Sequence, residues 1–330
     1  GTESVMHATR LARAYTGREK IIRMEGAYHG AHDPALVSSM PPLEKAGAAT
    51  DPNAVRESQG IPDTVPEDIL LAQYNDADSV ERLLREHGTE VAAILVEPAC
   101  LNLGLVEPEG GFLRRLRELA DEYNVVLLFD EVKTGVKLAP GGGAEYYGVQ
   151  PDLIALAKAI GGGYPVGAFG GRRELMQLVE ADLREGVATG MAHYGTYNGN
   201  PLALRAVGVT LREVLDSEAY DHVTQLAERL AEGYRDVIAD AGLDAQVKTA
   251  GSQGMVHFTD HPIRTFRDWK HVDEEFHEAY WVGMVNRGVI PHPHGASQQW
   301  TLSVQHTAED VDAHVDAFAD LAPRLAAAQD

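Results

Sequence analysis

The sequence predicts an α/β fold in which a mainly parallel sheet is flanked by helices, with a smaller C-terminal α/β domain. From residue 76 onward, short apolar runs alternate with segments of helical periodicity, which is typical of βαβ units. These apolar runs are nearly continuous, as expected for strands covered on both faces. Later, long helices alternate with shorter strands. We therefore expect a large domain over residues 1–216 and a small one over residues 217–330.

The amino-terminal part of the sequence predicts one helix, one strand and a long irregular segment. Apolar side chains recur at helical spacing over residues 4–15, and Gly17 follows as a helix terminator. The apolar-rich segment 20–24 predicts a strand. Residues 38–66 are rich in Pro, Gly, Ala and polar side chains, so we expect an excursion over the surface or a lid.

The same two periodicities predict the remaining elements. Asn200 is a suitable cap for a helix that begins at Pro201, because proline fits the first helical position. Glu309 and Asp310 fall in the first turn of the last helix and mark its start. We expect strands over residues 91–96, 125–129, 153–155, 254–258 and 300–304, and helices over residues 76–87, 111–123, 201–215, 220–241, 272–287 and 307–326.

The composition is that of a globular protein with a strongly acidic surface. Lysine and arginine total 28 against 50 acidic residues, a formal charge of −22. This charge disfavours nucleic acids and anionic membranes as partners, because both require a positive surface, and we expect neither. No apolar run approaches the length of a membrane span. The single cysteine, Cys100, permits no intrachain disulfide, so we expect a buried thiol in a soluble, cytoplasmic protein.

Two predicted strand ends carry the most informative side chains. Asp130 follows the apolar run 125–129, and Lys158 follows the run 153–157, just before the glycines at 161–163. In such sheets the carboxyl ends of the strands meet at one edge, where ligands bind. A lysine can form an imine with an aldehyde, and an acid can keep a pyridine nitrogen protonated. Together they supply what a pyridoxal phosphate enzyme needs.

Each of these side chains also has a simpler explanation. Lys158 could be a surface lysine on a loop, and Asp130 could be a structural acid that caps a neighbouring helix. A third alternative, an aspartate that holds magnesium in a nucleotide hydrolase, requires a Gly-x-x-x-x-Gly-Lys-Ser/Thr loop that the sequence lacks. The occurrence of both residues at neighbouring strand ends favours the cofactor. Glu131 points elsewhere if the strand geometry continues, and it is assigned no catalytic role.

Two glycine-bearing turns and one aromatic residue are further candidates for the same site. Gly1-Thr2-Glu3 precedes the first helix, and N–H groups and a hydroxyl at a helix N-terminus suit a phosphate, although a plain cap has the same pattern. The turn over residues 195–201 also precedes a helix and could bind phosphate or serve only as a turn. Tyr28 follows a strand and could stack on a flat cofactor, or be a partly buried side chain.

A metal site is not expected. His29 and His32 lie near Asp33, but the ligand count is incomplete. A second group of histidines is interpreted as part of a histidine-rich loop and strand: His292, His294 and His306. The glycine triplets at 141–143 and 161–163 lack the spacing and the strand–helix context of a dinucleotide-binding fingerprint.

The motifs occur in one specific order along the chain. They are Gly1-Thr2-Glu3, Tyr28-His29-Gly30, Glu97-Pro98 with Asn102, Asp130-Glu131-Val132 with Thr134-Gly135, Lys158 with its glycines, and Gly195-Thr196 with Gly199-Asn200-Pro201. In this order the chain resembles the class III pyridoxal phosphate-dependent aminotransferases, most closely the glutamate-1-semialdehyde 2,1-aminomutase branch. The resemblance covers essentially the whole chain.

The resemblance implies the fold type I of pyridoxal phosphate-dependent transferases, a homodimer, and active sites shared between subunits. It also implies the chemical roles of individual residues. Lys158 resembles the Schiff-base lysine and Asp130 the partner of the pyridine nitrogen. The remaining roles are implied in the same way: Tyr28 and Val132 sandwich the ring, Asn102 lies near the ring hydroxyl, Gly1 and Thr2 end the phosphate-binding turn, and Thr196 reaches the phosphate of the neighbouring subunit's cofactor.

The sequence departs from the family pattern in three places. The family has a further N-terminal segment that helps to form the substrate pocket, so we expect the chain to be the remainder of a longer polypeptide. Lys137 takes the place of the arginine in the motif Asp-Glu-Val-x-Thr-Gly-x-Arg. The loop over residues 291–299 does not match the aminomutase loop, which carries a gating glutamate.

We therefore expect an aminotransferase that moves an amino group between an amino acid or amine and a carbonyl acceptor through Lys158. The alternatives are an intramolecular aminomutase, a racemase or epimerase, and a non-catalytic relative that binds the cofactor or a protein partner. The presence of both Lys158 and Asp130 argues against the last of these.

Overall fold

The computed structural model describes residues 1–180 and 190–329. Contacts within the chain divide it into two compact units. The first unit contains Gly1–Ala99, Glu107–Val136 and Pro140–Thr210, and the second contains Cys100–Val106, Lys137–Ala139 and Leu211–Asp330. The long segment of the second unit begins at Leu211, whereas the sequence placed the boundary before residue 217. The two short segments that join it from earlier in the chain were not predicted.

A six-stranded sheet forms the centre of the first unit. The strands of this unit are β1 (Lys20–Met24), β2 (Gly47–Ala48), β3 (Asp51–Pro52), β4 (Ile69–Ala72), β5 (Val91–Val96), β6 (Val126–Asp130), β7 (Leu153–Ala157) and β8 (Gly167–Gly171). Across the large sheet the order is β4-β1-β5-β6-β7-β8, and each neighbouring pair is parallel except β7 with β8. The predicted mainly parallel sheet is confirmed, and the carboxyl ends of β1, β5, β6 and β7 share one edge.

The helices of the first unit begin and end where local chemistry favours it. They are α1 (Thr2–Thr16), α2 (Ala77–His87), α3 (Phe112–Tyr123), α4 (Gly142–Tyr147), α5 (Arg173–Glu180) and α6 (Pro201–Val209). Gly17 ends α1 in the left-handed conformation with a φ of 67°. Asp76 caps α2 and Asn200 caps α6 through side-chain oxygens that accept backbone N–H groups. Where one helix over 201–215 was predicted, α6 continues as a π-helix over Thr210–Val214.

An apolar core holds the sheet of the first unit against α1. Val5, Ala8 and Leu11 lie on the buried face of α1, in one cluster with strand residues such as Ile21 and Leu128. Every residue of β5 is buried, in agreement with its unbroken apolar run. Burial of a large aliphatic side chain contributes about 1.5–3 kcal/mol, so this core fixes the strands whose ends form the site described below.

The segment over residues 38–66 is an excursion attached to the first unit at its base. Ser38 is buried, and its hydroxyl accepts the N–H of Val55 at 2.8 Å and donates to the carbonyl oxygen of Asn53 at 3.0 Å. Between these points the chain forms the short antiparallel hairpin of β2 and β3. Hydrogen bonds therefore join Ser38, the first residue of the predicted excursion, to residues 53 and 55 within it.

The second unit packs long helices on a three-stranded antiparallel sheet. Its elements are α7 (Ser217–Ala241), β9 (Gln246–Ala250), β10 (Gln253–His257), α8 (Phe266–Trp269), α9 (Glu274–Val285), β11 (Trp300–Thr301) and α10 (Ala308–Gln329), with the strand order β11-β10-β9. Tyr234 lies in its core and stacks on Phe318 with ring centroids 4.1 Å apart. The Tyr234 hydroxyl is 2.7 Å from that of Tyr280 and 2.9 Å from Nε2 of His314.

The strand predicted over residues 300–304 is shorter in the structure. It keeps only Trp300–Thr301 as β11. Beyond it, Nδ1 of His306 accepts the N–H of Ser303 at 2.9 Å, and the N–H of His306 donates to the carbonyl oxygen of Ser303. This local turn occupies the backbone groups that a longer strand needs for pairing.

Two further observations concern the chain as a whole. Over residues 1–180 and 190–329, each helix is too short or too polar to cross a membrane. Cys100 forms no disulfide bond and has no exposed surface, so the expected buried thiol is confirmed.

Candidate active site

Asp130 ends β6, and both of its carboxylate oxygens are hydrogen-bonded. Oδ2 lies 2.7 Å from Nδ1 of His29, and Oδ1 accepts the N–H of Val132 at 3.0 Å. Only 4% of the residue is exposed. Hydrogen bonds to an ionised acceptor are stronger than neutral ones, so the two donors fix the orientation of this carboxylate at the carboxyl edge of the sheet.

His29 lies in the loop that follows β1 and is buried against Asp130. Burial lowers the pKa of His29, and the hydrogen bond to Asp130 opposes this shift. The neutral ring donates its Nδ1–H to the carboxylate, while its buried Nε2 has no hydrogen-bond partner among the residues that the structure describes. A donor of this kind fixes the orientation of the Asp130 carboxylate.

Lys158 follows β7 directly, on the strand beside β6. The register of these strands pairs Asp130 with Ala155, so both residues extend from the same edge of the sheet. Lys158 begins the 3-10 turn Lys158–Gly161 with a φ of 50°, in the left-handed region. Such a conformation is strained for a residue with a side chain and is typical of functional sites. The residue is exposed in the isolated chain.

The start of α1 packs between the segments that follow β6 and β7. A Cβ atom placed on Gly1 would lie 3.0 Å from Cγ1 of Val132 and 3.7 Å from Cβ of Ala157. The absence of a side chain at Gly1 therefore allows the start of α1 to contact Val132, which follows Asp130 and Glu131, and Ala157, which precedes Lys158. The hydroxyl of Ser4 adds a hydrogen bond from the first turn of α1 to the carbonyl oxygen of Ala168 in β8.

The loop that carries Tyr28 and His29 lies on Thr2 at the same helix terminus. The N–H of Ala31 donates to the Thr2 hydroxyl at 3.1 Å. Gly30 has a φ of 96°, and a Cβ atom there would lie 2.8 Å from the Cα atom of Thr2. Glycine is needed for both its conformation and this close approach. The Tyr28 side chain next to it remains 42% exposed and is therefore accessible to a ligand.

These contacts bring most of the predicted site residues together. Thr2 contacts the Tyr28 loop, His29 in that loop binds Asp130, and Gly1 joins Val132 to the strand of Lys158. Two predicted residues belong to other segments of the chain. Asn102 belongs to Cys100–Val106 of the second unit, and Thr196 is exposed in the turn that precedes α6.

Sequence reasoning missed the role of His29 beside Asp130. Apart from its place in the Tyr28-His29-Gly30 motif, His29 was considered only as a metal ligand, together with His32 and Asp33. In the described ranges 1–180 and 190–329, no three His, Cys, Asp or Glu side chains are arranged to hold a metal ion. The usable signal was topological, because the loop after β1 and the end of β6 face the same edge of a parallel sheet.

The chain is similar to known proteins over nearly its whole length. Residues 1–320 match the model of the family described as Aminotransferase class-III. The glutamate-1-semialdehyde 2,1-aminomutase of Aquifex aeolicus is 37% identical, and the match covers 98% of this chain and 73% of that protein.

Solved structures give the same picture. An omega-transaminase from Sphaerobacter thermophilus superposes with a TM-score of 0.90 at 35% identity, covering 99% of this chain and 73% of that one. A structure described as a transaminase with PLP bound superposes with a TM-score of 0.84 at 28% identity, covering 99% and 72% respectively.

Proposed function

The chain belongs to the class III aminotransferases, and from this premise we propose that it is a pyridoxal phosphate-dependent aminotransferase. The family match confirms the predicted resemblance, and the structural neighbours confirm fold type I. The proposed reaction moves an amino group from an amino acid or amine to a carbonyl acceptor. The observation that carries it is the buried Asp130–His29 pair at one strand end, beside the strained Lys158 at the next.

The first unit, which we propose as the cofactor-binding domain, offers groups that fit each part of pyridoxal phosphate. When bound, this cofactor supplies an electron sink for charge that develops on the substrate carbon. Asp130, oriented by its hydrogen bond with His29, is suited to hold a protonated ring nitrogen. The N-terminal N–H groups of α1, at Gly1 and Thr2, are suited to the phosphate.

Three further side chains complete the proposed site. Tyr28 and Val132 provide the surfaces on which the two faces of the ring rest. Lys158 supplies the amine to which the cofactor aldehyde attaches. With cofactor and substrate bound, the Lys158 amine would also be the base that carries a proton to and from the substrate carbon. The left-handed backbone at Lys158 supports this role, since the sheet holds a strained conformation at that position.

The direct test is chemical trapping of the cofactor on Lys158. Borohydride reduction of the purified, cofactor-loaded protein should fix the cofactor to the peptide that contains Lys158, as mass spectrometry detects. Lys158→Ala should abolish both the adduct and amino transfer. Lys45→Ala, which removes a lysine from the excursion over residues 38–66, is the matched control and should keep both. Normal turnover by Lys158→Ala would refute the proposed mechanism.

The relatives named aminomutase make intramolecular amino transfer the second candidate. The comparison of sequences supports it, since the Aquifex aeolicus relative is 37% identical. The loop over residues 291–299 contains no glutamate, which favours the aminotransferase. A screen of amine donors and keto acceptors separates the two. Release of a keto product from the donor supports transamination, and conversion of glutamate semialdehyde without an acceptor supports the aminomutase.

We further propose that the active form is a homodimer. A group of large apolar side chains near α6 is strongly exposed: Tyr194 (74%), Tyr197 (82%), Leu202 (68%) and Leu204 (53%). Exposed apolar patches of this kind mark interaction surfaces. Thr196 lies among them, and this placement supports its proposed reach to the phosphate of a neighbouring subunit. Sedimentation should give twice the chain mass of 35.7 kDa, and Leu202→Asp should give the monomer. A monomeric wild type would refute this proposal.

A further inference from the structure

We propose that Glu131 is a positioning residue that holds its neighbours Asp130 and Val132 toward the cofactor by tying their segment to the start of α4. This inference rests on the proposed function and extends it to a residue for which the sequence indicated no catalytic role. Glu131 does not touch the reacting atoms in this proposal. It acts through the backbone that it shares with the two residues beside it.

The carboxylate of Glu131 is a buried acceptor for several donors. Its Oε2 accepts the N–H of Gly143 and its Oε1 accepts the N–H of Ala144, each at 2.8 Å. The hydroxyl of Thr134 also donates to Oε2. Only 1% of Glu131 is exposed. Each donor belongs to a residue that follows β6. The carboxylate therefore joins the loop after β6 to the start of α4.

The glycine triplet at 141–143 explains how the backbone approaches this carboxylate so closely. A Cβ atom on Gly142 would lie 2.7 Å from Oε2 of Glu131, and Gly142 has a φ of 69°. A Cβ atom on Gly143 would lie 2.6 Å from Cβ of Pro98. Larger residues would therefore push the helix terminus away from Glu131. The triplet, which is not a dinucleotide fingerprint, forms the wall of this buried acceptor site.

The backbone of Glu131 is also held by hydrogen bonds, and it connects the buried side chain to the two neighbouring site residues. Its N–H donates to the carbonyl oxygen of Ala155 in β7, and its carbonyl oxygen accepts the N–H of Gly135, each at 2.8 Å. The two residues that flank Glu131 are also joined to each other, because the N–H of Val132 donates to Oδ1 of Asp130. A shift of the Glu131 side chain therefore moves both the carboxylate that faces the ring nitrogen and the side chain that supports the ring.

The donors around Glu131 require a carboxylate rather than an amide. Burial raises the pKa of Glu131, and the hydrogen bonds from Thr134, Gly143 and Ala144 oppose this shift. The two backbone N–H groups need an oxygen each. In Glu131→Gln one of them faces an NH₂ group, which has no acceptor to offer. This substitution keeps the shape of the side chain and removes one hydrogen bond.

The test compares cofactor binding by Glu131→Gln with cofactor binding by a control variant on α4, the helix whose start contacts Glu131. Glu145 also accepts a backbone N–H of this region, from Gly141 at 2.6 Å, but it is exposed and does not adjoin Asp130. Pyridoxal phosphate is titrated into each purified apo protein, and its visible absorption is then recorded against pH. For Glu131→Gln we expect a dissociation constant raised about tenfold, the effect of one hydrogen bond to a charged group, and a shifted midpoint of the absorption profile. Glu145→Gln should match the wild type in both.

Thr134→Val serves as a second variant if Glu131→Gln does not fold. It removes only the hydroxyl donor and should raise the dissociation constant about threefold, with a midpoint shift in the same direction. The inference is overturned if Glu131→Gln and Thr134→Val bind and titrate like the wild type, or if Glu145→Gln is affected equally. A wild type that does not bind pyridoxal phosphate would overturn the proposed function itself, so the two failures are distinguishable.

Discussion

Acid should destabilise the second unit, and His257 allows this effect to be isolated. Its Nε2 donates to the carbonyl oxygen of Gly104 at 2.6 Å inside the unit. Burial lowers the pKa of His257 from the ordinary value of 6.5 to about 4, and the hydrogen bond to Gly104 opposes part of the shift. In the unfolded chain the ring regains its ordinary pKa.

The sign of the effect follows from proton uptake. As the pH falls from 7 to 5, the unfolded chain binds a proton at His257 and the folded chain does not, so the unfolded state is favoured. With pKa values of 6.5 and about 4, linkage gives a loss of about 2 kcal/mol from this one ring. Below pH 4 the folded ring also binds a proton, and the loss levels off. Burial also lowers the pKa of His314 to about 4 and that of His277 to about 3, and both act in the same direction.

Tryptophan fluorescence reports this unit selectively. The chain has 3 tryptophans, Trp269, Trp281 and Trp300, and all lie in the second unit. Urea unfolding followed by their emission gives the free energy of unfolding at pH 7 and pH 5. His257→Gln keeps an amide donor for Gly104 and cannot titrate, so the difference between the two pH values should shrink by about 2 kcal/mol. His261→Gln, at an exposed histidine, should leave it unchanged. An undiminished difference in His257→Gln would refute the assigned neutral state.

Three other perturbations test the site, the sheet and the surface charge. His29→Leu removes a donor to Asp130 and should raise the dissociation constant of pyridoxal phosphate about tenfold; equal affinity in equilibrium dialysis would contradict its role. Asp152→Asn weakens two bonds, to Arg117 and Arg172 at 2.9 Å each, and should lower the free energy of unfolding by about 2 kcal/mol; an unchanged value by circular dichroism would count against this network. Molar KCl screens the repulsion within a chain of net charge −22 and should raise the thermal midpoint, whereas a falling midpoint would exclude self-repulsion as a significant cost.

Local chemistry made the strand ends and the helix caps predictable. Gly17 and Asn200 act where the sequence placed them, because a cap depends on backbone groups within a few residues. Asp76, which the sequence placed at the start of a helix, caps that helix. Asp130 and Lys158 were placed at neighbouring strand ends for a related reason. The alternation of strands and helices in a parallel sheet determines which strand ends share an edge.

Contacts between distant parts of the chain were outside the reach of periodicity. His29 and Asp130 are 101 residues apart, and the pair forms only because β1 and β6 belong to one sheet. Glu131 and Gly143 are joined by a turn whose path no spacing rule describes. The shortening of β11 has a different, local origin, since the side chain of His306 accepts the N–H of Ser303, three residues earlier.

The hydrogen bond between His257 and Gly104 spans 153 residues and has a consequence for protein engineering. A gene fragment that starts at Leu211 encodes His257 but not Gly104, whose carbonyl oxygen accepts the hydrogen bond from the imidazole. In the resulting polypeptide the Nε2–H donor of His257 has lost its acceptor. If it stays buried, this lowers the free energy of unfolding by about 1–3 kcal/mol. A fragment cut at Leu211 therefore lacks part of the second unit. To restore this hydrogen bond, the expressed fragment needs Cys100–Val106 added as a fused peptide.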